Sequence, residues 1–244
     1  GIGGAVINIP AVSLLIGRDI HLAQAAAMNV TFFVALPSAI RHYREGVLNL
    51  RLLKVLVPSA VIAIIGGVLL AGLISNYWLQ KIFGIFLLYV IYVNTLKVWQ
   101  AHRKIPEQSP RITLGRGLTL GAITGTGAGI LGIGGGILTV SLAQRICRVA
   151  LPQAIATSAA LMCFTSIVAA ATKDITLPHV PFTEPDGTVV FYPWYEPFKY
   201  AIWLIPTCVL GSWFGAQLTH NLPTQRIRIV FLVVVGIAAV KMLT

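Results

Sequence analysis

Residues Gly117 to Gln144 read GLTLGAITGTGAGILGIGGGILTVSLAQ, 28 positions without a charge, broken by Gly132-Ile133-Gly134-Gly135-Gly136. The signature recurs at the front of the chain, where Gly1-Ile2-Gly3-Gly4-Ala5-Val6 matches Gly132-Ile133-Gly134-Gly135-Gly136-Ile137. A helix that crosses a bilayer needs about 20 apolar residues. The run Gly4 to Ile16 is shorter than that, and the glycines cut the longer run in two. Both read as half-helices that open at a glycine turn inside the membrane.

The composition supports a membrane setting. Of 244 residues, 57% are hydrophobic and 10% charged, and mean hydropathy is +0.84. Soluble domains carry roughly 25% charged residues, so this chain lacks the polar surface to face water. A soluble enzyme, a disordered tail and a disulfide-rich secreted domain are excluded. A membrane β-barrel would alternate apolar and polar residues, and these runs do not. The net charge of +11 comes from basic residues between apolar runs, which points to topology rather than to nucleic acid. Cys147, Cys163 and Cys208 form no CxxC pair and read as small buried hydrophobes, implying neither a metal nor a redox site.

The remaining spans are Leu22 to Ile40, Leu52 to Ile74, Tyr77 to Trp99, Val149 to Thr172, Tyr200 to Thr219 and Thr224 to Met242. Place Arg41, Arg44, Arg51 and Lys54 in the cytoplasm. If Gly132–Gly136 turns the chain back, thirteen Lys/Arg then lie inside and five (Arg18, Lys81, Lys173, Lys199, Lys241) outside. Two acids lie inside and five outside. This is the positive-inside pattern. An external loop is expected over 173–199, with the turn Pro185-Asp186-Gly187 and interfacial Tyr192, Trp194 and Tyr195; a short hairpin and a lid both fit it.

The repeat extends beyond the glycines. Gln24-Ala25-Ala26-Ala27-Met28-Asn29 recurs as Gln153-Ala154-Ile155-Ala156-Thr157-Ser158, and Pro58 with Gly67 recurs as Pro206 with Gly215. The charge map runs the matching spans in opposite directions. The expected fold is therefore all-α: a polytopic membrane protein of two inverted repeats, each a glycine-broken helical hairpin followed by three transmembrane helices. The first repeat is expected over 1–105 and the second over 106–244. The glycine-rich stretch Thr113 to Leu131 has no counterpart before Gly1, so a half-helix is expected upstream. Within that stretch Gly117, Gly121, Gly125 and Gly129 share one helix face, as close helix packing requires; Gly211 and Gly215 look like the same device.

Inverted repeats with broken helices are an architecture of transporters. A helix N-terminus favours an anion, and bare glycine N–H groups can approach one closely. Gly3, Gly4, Gly134, Gly135 and Gly136 are thus candidate anion ligands, or else tight turns without a ligand. Asn29, Thr157 and Ser158 could complete a neutral polar shell, or could be interhelical hydrogen bonds. No carboxylate is expected deep in a span, and His21, His42, His102, His179 and His220 read as interfacial. Neither a nucleotide loop nor a catalytic or metal cluster appears, so no cofactor, metal or enzyme chemistry is expected.

The Gly-Ile-Gly-Gly motif that opens a short helix, given twice, followed by Ala156-Thr157-Ser158 and its counterpart Ala27-Met28-Asn29, resembles the TauE/SafE sulfite exporter family. Arg44-Glu45-Gly46-Val47-Leu48 is similar too. The resemblance covers essentially the whole chain. It implies an integral membrane protein, in a bacterial cell (inner) membrane, that moves sulfite or a related small sulfur-containing or organic anion. Pro10 keeps the family's proline after the glycines, whereas Ser141 replaces it in the second half. Alternating access at a midplane site is the expected mechanism. A continuous anion channel and a membrane scaffold for sulfur chemistry are the alternatives. The expected partners are the small anion and the lipid bilayer, with no nucleic acid; the oligomeric state is not read from the sequence.

Overall fold

The computed structural model describes residues 4–15, 17, 19–99, 111–183, 188–221 and 224–243. Outside these lie Gly1-Ile2-Gly3, Arg18, the connector carrying His102, Arg103, Lys104 and Glu107, and the turn Glu184-Pro185-Asp186-Gly187.

Backbone polar groups in hydrocarbon must be satisfied within their own segment, so the apolar runs become helices. In chain order these are α1 (Ala5–Pro10), α2 (Ile20–Arg44), α3 (Leu50–Gly72), α4 (Asn76–Trp99), α5 (Leu114–Leu131), α6 (Gly136–Leu142), α7 (Leu151–Thr176), α8 (Glu196–Asn221) and α9 (Thr224–Leu243). One π-helical turn follows each short helix, Ala11–Leu15 after α1 and Ala143–Cys147 after α6. Ile20–Arg44, Leu50–Gly72, Asn76–Thr95 and Leu151–His179 are long and apolar enough to cross a membrane. The protein is an all-α polytopic membrane protein. Its external segment folds as a small hairpin in which β1 (Phe182–Thr183) pairs antiparallel with β2 (Val189–Val190), Phe182 opposite Val190.

Local signals set the helix ends. The Asp19 side chain accepts from His21 N at 2.7 Å at the start of α2, and Asn49 accepts from Leu52 N at 3.0 Å at the start of α3, as capping residues do. Gly132, at φ +75°, ends α5. The chain then doubles back, and Arg111 N donates to the Cys147 carbonyl at 2.9 Å. Gly132–Gly136 therefore does return the chain to the basic face from which α5 set out. On that face Arg41 Nε donates to Glu45 at 2.8 Å and holds this exposed carboxyl below its ordinary range.

The glycine face of α5 lies on α3. A Cβ on Gly129 would sit 2.6 Å from the Ile64 carbonyl oxygen, and one on Gly67 2.5 Å from that of Thr126. Further along, Gly121 meets Ser59 and Gly117 meets Val55, so the two helices run parallel. Gly211 departs from the expectation: a Cβ there meets open space, so it is not part of a close helix contact.

The equivalent helices of the two repeats oppose each other. His21 near the start of α2 touches Lys173 near the end of α7, while Ala35 packs with Met162 and Cys163. These two helices are thus antiparallel. Likewise the start of α4 meets the end of α9, where Lys81 donates to the Leu243 carbonyl and Gly84 faces Met242. Helix α3 packs on α7 as α8 packs on α2, the exchange that a twofold relation requires.

Three expectations need correction. Helix α7 continues to Thr176 and a 3₁₀ turn, Leu177–His179, follows it, so Lys173 and Asp174 belong to the helix rather than to the loop. They are 2% and 7% exposed, and His21 is 2% exposed. A carboxylate is therefore buried in a spanning helix, and His21 is not interfacial. The cause is the packing of α2 against α7, which buries ends that a hydropathy pattern places at the water boundary. Cys147 and Cys163 are buried free thiols, as read, whereas Cys208 is half-buried.

Gly129→Ala should lose about 1–3 kcal/mol through forced separation of α5 from α3, read as a lower melting temperature in detergent. Gly115→Ala meets open space and should be neutral or stabilising by up to about 1 kcal/mol. Equal melting of the two variants would contradict the close contact.

Candidate functional site

The turn between α5 and α6 is built from left-handed glycines: φ is +75° at Gly132, +67° at Gly134 and +90° at Gly135. This backbone costs other L-residues about 1–2 kcal/mol each. Space is short as well, since a Cβ on Gly132 would lie 2.6 Å from Gln24 Cγ. The turn sits deep. Gly134 abuts Thr31, eleven residues or about 16 Å along α2 from Ile20.

Side chains meet the carbonyls released by the break. Gln24 Nε2 donates to Ile130 O at 3.0 Å, Thr165 Oγ1 lies 3.0 Å from Gly134 O, and Thr139 Oγ1 donates to Gly135 O at 2.8 Å. The backbone donors differ. The first α6 bond is Thr139 N to Gly135 O at 2.9 Å, and the N–H groups before it have no acceptor within the helix. That end of the turn therefore carries partial positive charge.

Gly4 is the N-cap of α1, with ordinary right-handed angles; Gly3 lies outside the described residues. The two glycine motifs meet through the apolar residues beside them. Ala5, Val6 and Ile9 share a cluster with Leu131, Ile133 and Ile137, and Ile20, Ala23 and Ala27 of α2 complete it. Thr157 and Ser158 are fully buried on α7. Ser158 Oγ donates to Ile155 O at 2.8 Å, whereas Thr157 Oγ1 has no hydrogen-bond partner. Asn29 sits elsewhere. Its Nδ2 donates to Asp174 Oδ2 and to Ala25 O, both at 3.1 Å. Asp174 lies sixteen residues beyond Ser158 on α7, about 24 Å of helix rise, so Asn29 and Ser158 do not share a shell in this conformation.

Sequence reasoning missed the polar cluster at the outer end. Lys173 Nζ lies 2.9 Å from His21 Nδ1 and 3.3 Å from Gln24 Oε1, and His21 Nε2 lies 3.1 Å from Ile74 O. A cavity of about 330 Å³ opens beside it, lined by Asp19, His21, Gly72 to Asn76, Val180 and Pro181. The available signal was the helical spacing of His21 and Gln24, one turn apart on α2.

A glycine-broken helix at mid-depth, antiparallel helices and buried polar groups between them define an integral membrane protein with a polar interior, of the broken-helix kind. The chain belongs to the TauE/SafE sulfite exporter family, whose model, described as "Sulfite exporter TauE/SafE", matches residues 1–242. It is 24% identical to a probable membrane transporter protein MamO of Magnetospirillum gryphiswaldense, with 99% of this chain and 42% of that protein covered. It is 22% identical to the MamO of Paramagnetospirillum magneticum, with 99% and 41% covered. The chain thus spans about two-fifths of the length of these two relatives. Similarity to the probable membrane transporter protein MJ0441 of Methanocaldococcus jannaschii is 23%, with 100% of this chain and 88% of that protein covered. No solved structure matches the chain.

Gly135→Ala should destabilise the protein by about 1–2 kcal/mol through its left-handed backbone, seen as a lower detergent melting temperature. Thr157→Val keeps the shape and removes a hydroxyl that makes no bond in this structure, so its melting should be unchanged or higher. A large drop would mean that the hydroxyl is structurally engaged.

Proposed function

We propose that this chain is a secondary transporter for sulfite or a related small sulfur-containing or organic anion, working by alternating access in a bacterial inner membrane. The supporting observation is the pair of glycine-opened half-helices that meet in one cluster at mid-depth, beside antiparallel α2 and α7. Export of sulfite is suggested by the family's description. The relatives' names support transport without specifying a substrate.

The anion sits against the N–H groups of Gly134, Gly135 and Gly136, and the earlier motif, Gly3 and Gly4, supplies the other half-site by its likeness to this one. Thr157, eight residues or about 12 Å of helix rise before Thr165 at the turn, donates to the anion once α7 has shifted along its neighbours. Fixed dipoles and a neutral donor offset the loss of hydration without a permanent positive charge that would hold the anion too tightly for release. Asn29 and Ser158 join the shell only by exchanging their present partners, as a transporter that changes shape during its cycle permits. One helix bundle rocks against the other across the α2–α7 contact.

Labelled sulfite uptake into proteoliposomes should saturate and show counterflow. Thr157→Val should reduce it about tenfold, the weight of one lost hydrogen bond to a charged ligand, with its melting temperature kept. Non-saturating currents would indicate a channel instead, and wild-type uptake no faster than empty liposomes would refute the anion reading.

A further inference from the structure

We propose that His21 and Lys173 form a proton-binding site that links anion movement to the proton gradient; this rests on the transport reading above. Lys173 is 2% exposed near the outer end of α7, and ionisable groups buried in spanning helices are costly and tend to serve function.

The geometry fixes the protons. Ile74 O can only accept, so His21 Nε2, 3.1 Å away, carries the hydrogen. The other ring nitrogen, Nδ1, then bears a lone pair and accepts from the Lys173 ammonium at 2.9 Å. Gln24 Oε1 accepts a second ammonium hydrogen at 3.3 Å. A proton added to Nδ1 would set two donors and two positive charges face to face. The closed pair therefore excludes that proton. It binds only when the outer end of α7 moves off α2, forming the Nδ1–H bond of an imidazolium, and leaves again before the pair recloses.

His21 lies on α2 and Lys173 on α7, so their contact spans the α2–α7 seam that rocking must open. A ligand shifts a conformational equilibrium through its different affinity for the two states. Here the proton prefers the opened outer end. It has a route, because His21 lines the outer cavity with Asp19.

Among the described residues, other charged and titratable groups surround this pair. On α2, Asp19 caps the helix through His21 N and attracts the Lys173 ammonium. On α7, Asp174 accepts from Asn29. Glu196 and Lys199, at the start of α8, pair at 2.6 Å, and exposed His179 bonds the Ile175 carbonyl. Tyr192 and Tyr200 pack with Leu22 and Leu177. Arg51 and Lys54 of α3 lie near its opposite end, and Lys81 of α4 bonds the Leu243 carbonyl.

The test uses full-length protein in liposomes with labelled sulfite, comparing wild type, His21→Gln and Lys173→Met over a series of outer pH values. Sulfite itself titrates near neutrality, so the ratio of wild type to His21→Gln at each pH is read. That ratio should change about tenfold per pH unit on one limb, as for one proton. His21→Gln should keep counterflow without a gradient. A flat ratio overturns the proposal. Nitrogen NMR of labelled histidine provides a readout that needs no flux: His21 should be the Nε2–H tautomer, and Lys173→Met should raise its titration midpoint. A midpoint unmoved by Lys173→Met, or an Nδ1–H tautomer in wild type, also overturns it. Absence of sulfite counterflow in wild type would sink the transport reading, while the NMR titration would still decide the proton site.

Discussion

Open backbone hydrogen bonds are too costly to leave in hydrocarbon, and this chain interrupts a helix in that medium. Much of the architecture follows from repairing the break. Gln24 closes the Ile130 carbonyl, Thr165 stands at the Gly134 carbonyl and Thr139 at that of Gly135. Those side chains come from α2, α7 and α6, so the turn can exist only where three helices converge. Such a place is also screened from lipid. The glycines of the turn are buried, and the N–H groups at the start of α6 that lack a helical acceptor give the core a polar centre.

The division between what the sequence disclosed and what it hid has a physical basis. Spans, the return turn and the opposed direction of the repeats were readable, because hydrophobic length and the lysine and arginine distribution report on bilayer partitioning. The glycine face of α5 was readable because helical spacing alone places four small residues in line. Lys173 and Asp174 were not. A charged pair at the end of an apolar run looks the same whether it meets water or a neighbouring helix, and only the packing of α2 against α7 decides. Asn29 illustrates a related limit. Its place in the repeat made it the counterpart of Ser158, but its bond goes to Asp174, a residue that the repeat does not pair with it.

The two ends of the α2–α7 crossing are therefore chemically unlike. At the outer end, buried histidine, lysine, glutamine and aspartate and a half-buried asparagine form a set of specific bonds. At the inner end of α2, Arg41 and Glu45 pair at an exposed surface, where such a bond contributes little to stability. Asymmetry of this kind, on a scaffold of matching helices, gives one conformation a defined set of bonds to break.

The glycine contact between α3 and α5 has a further consequence. By position in the chain, α5 opens the second repeat, yet its backbone is seated against α3 of the first. The second half is thus fastened to the first through the backbone of α5. Backbones that touch this closely hold together, so α3 and α5 form one tight pair that joins the two halves of the sequence.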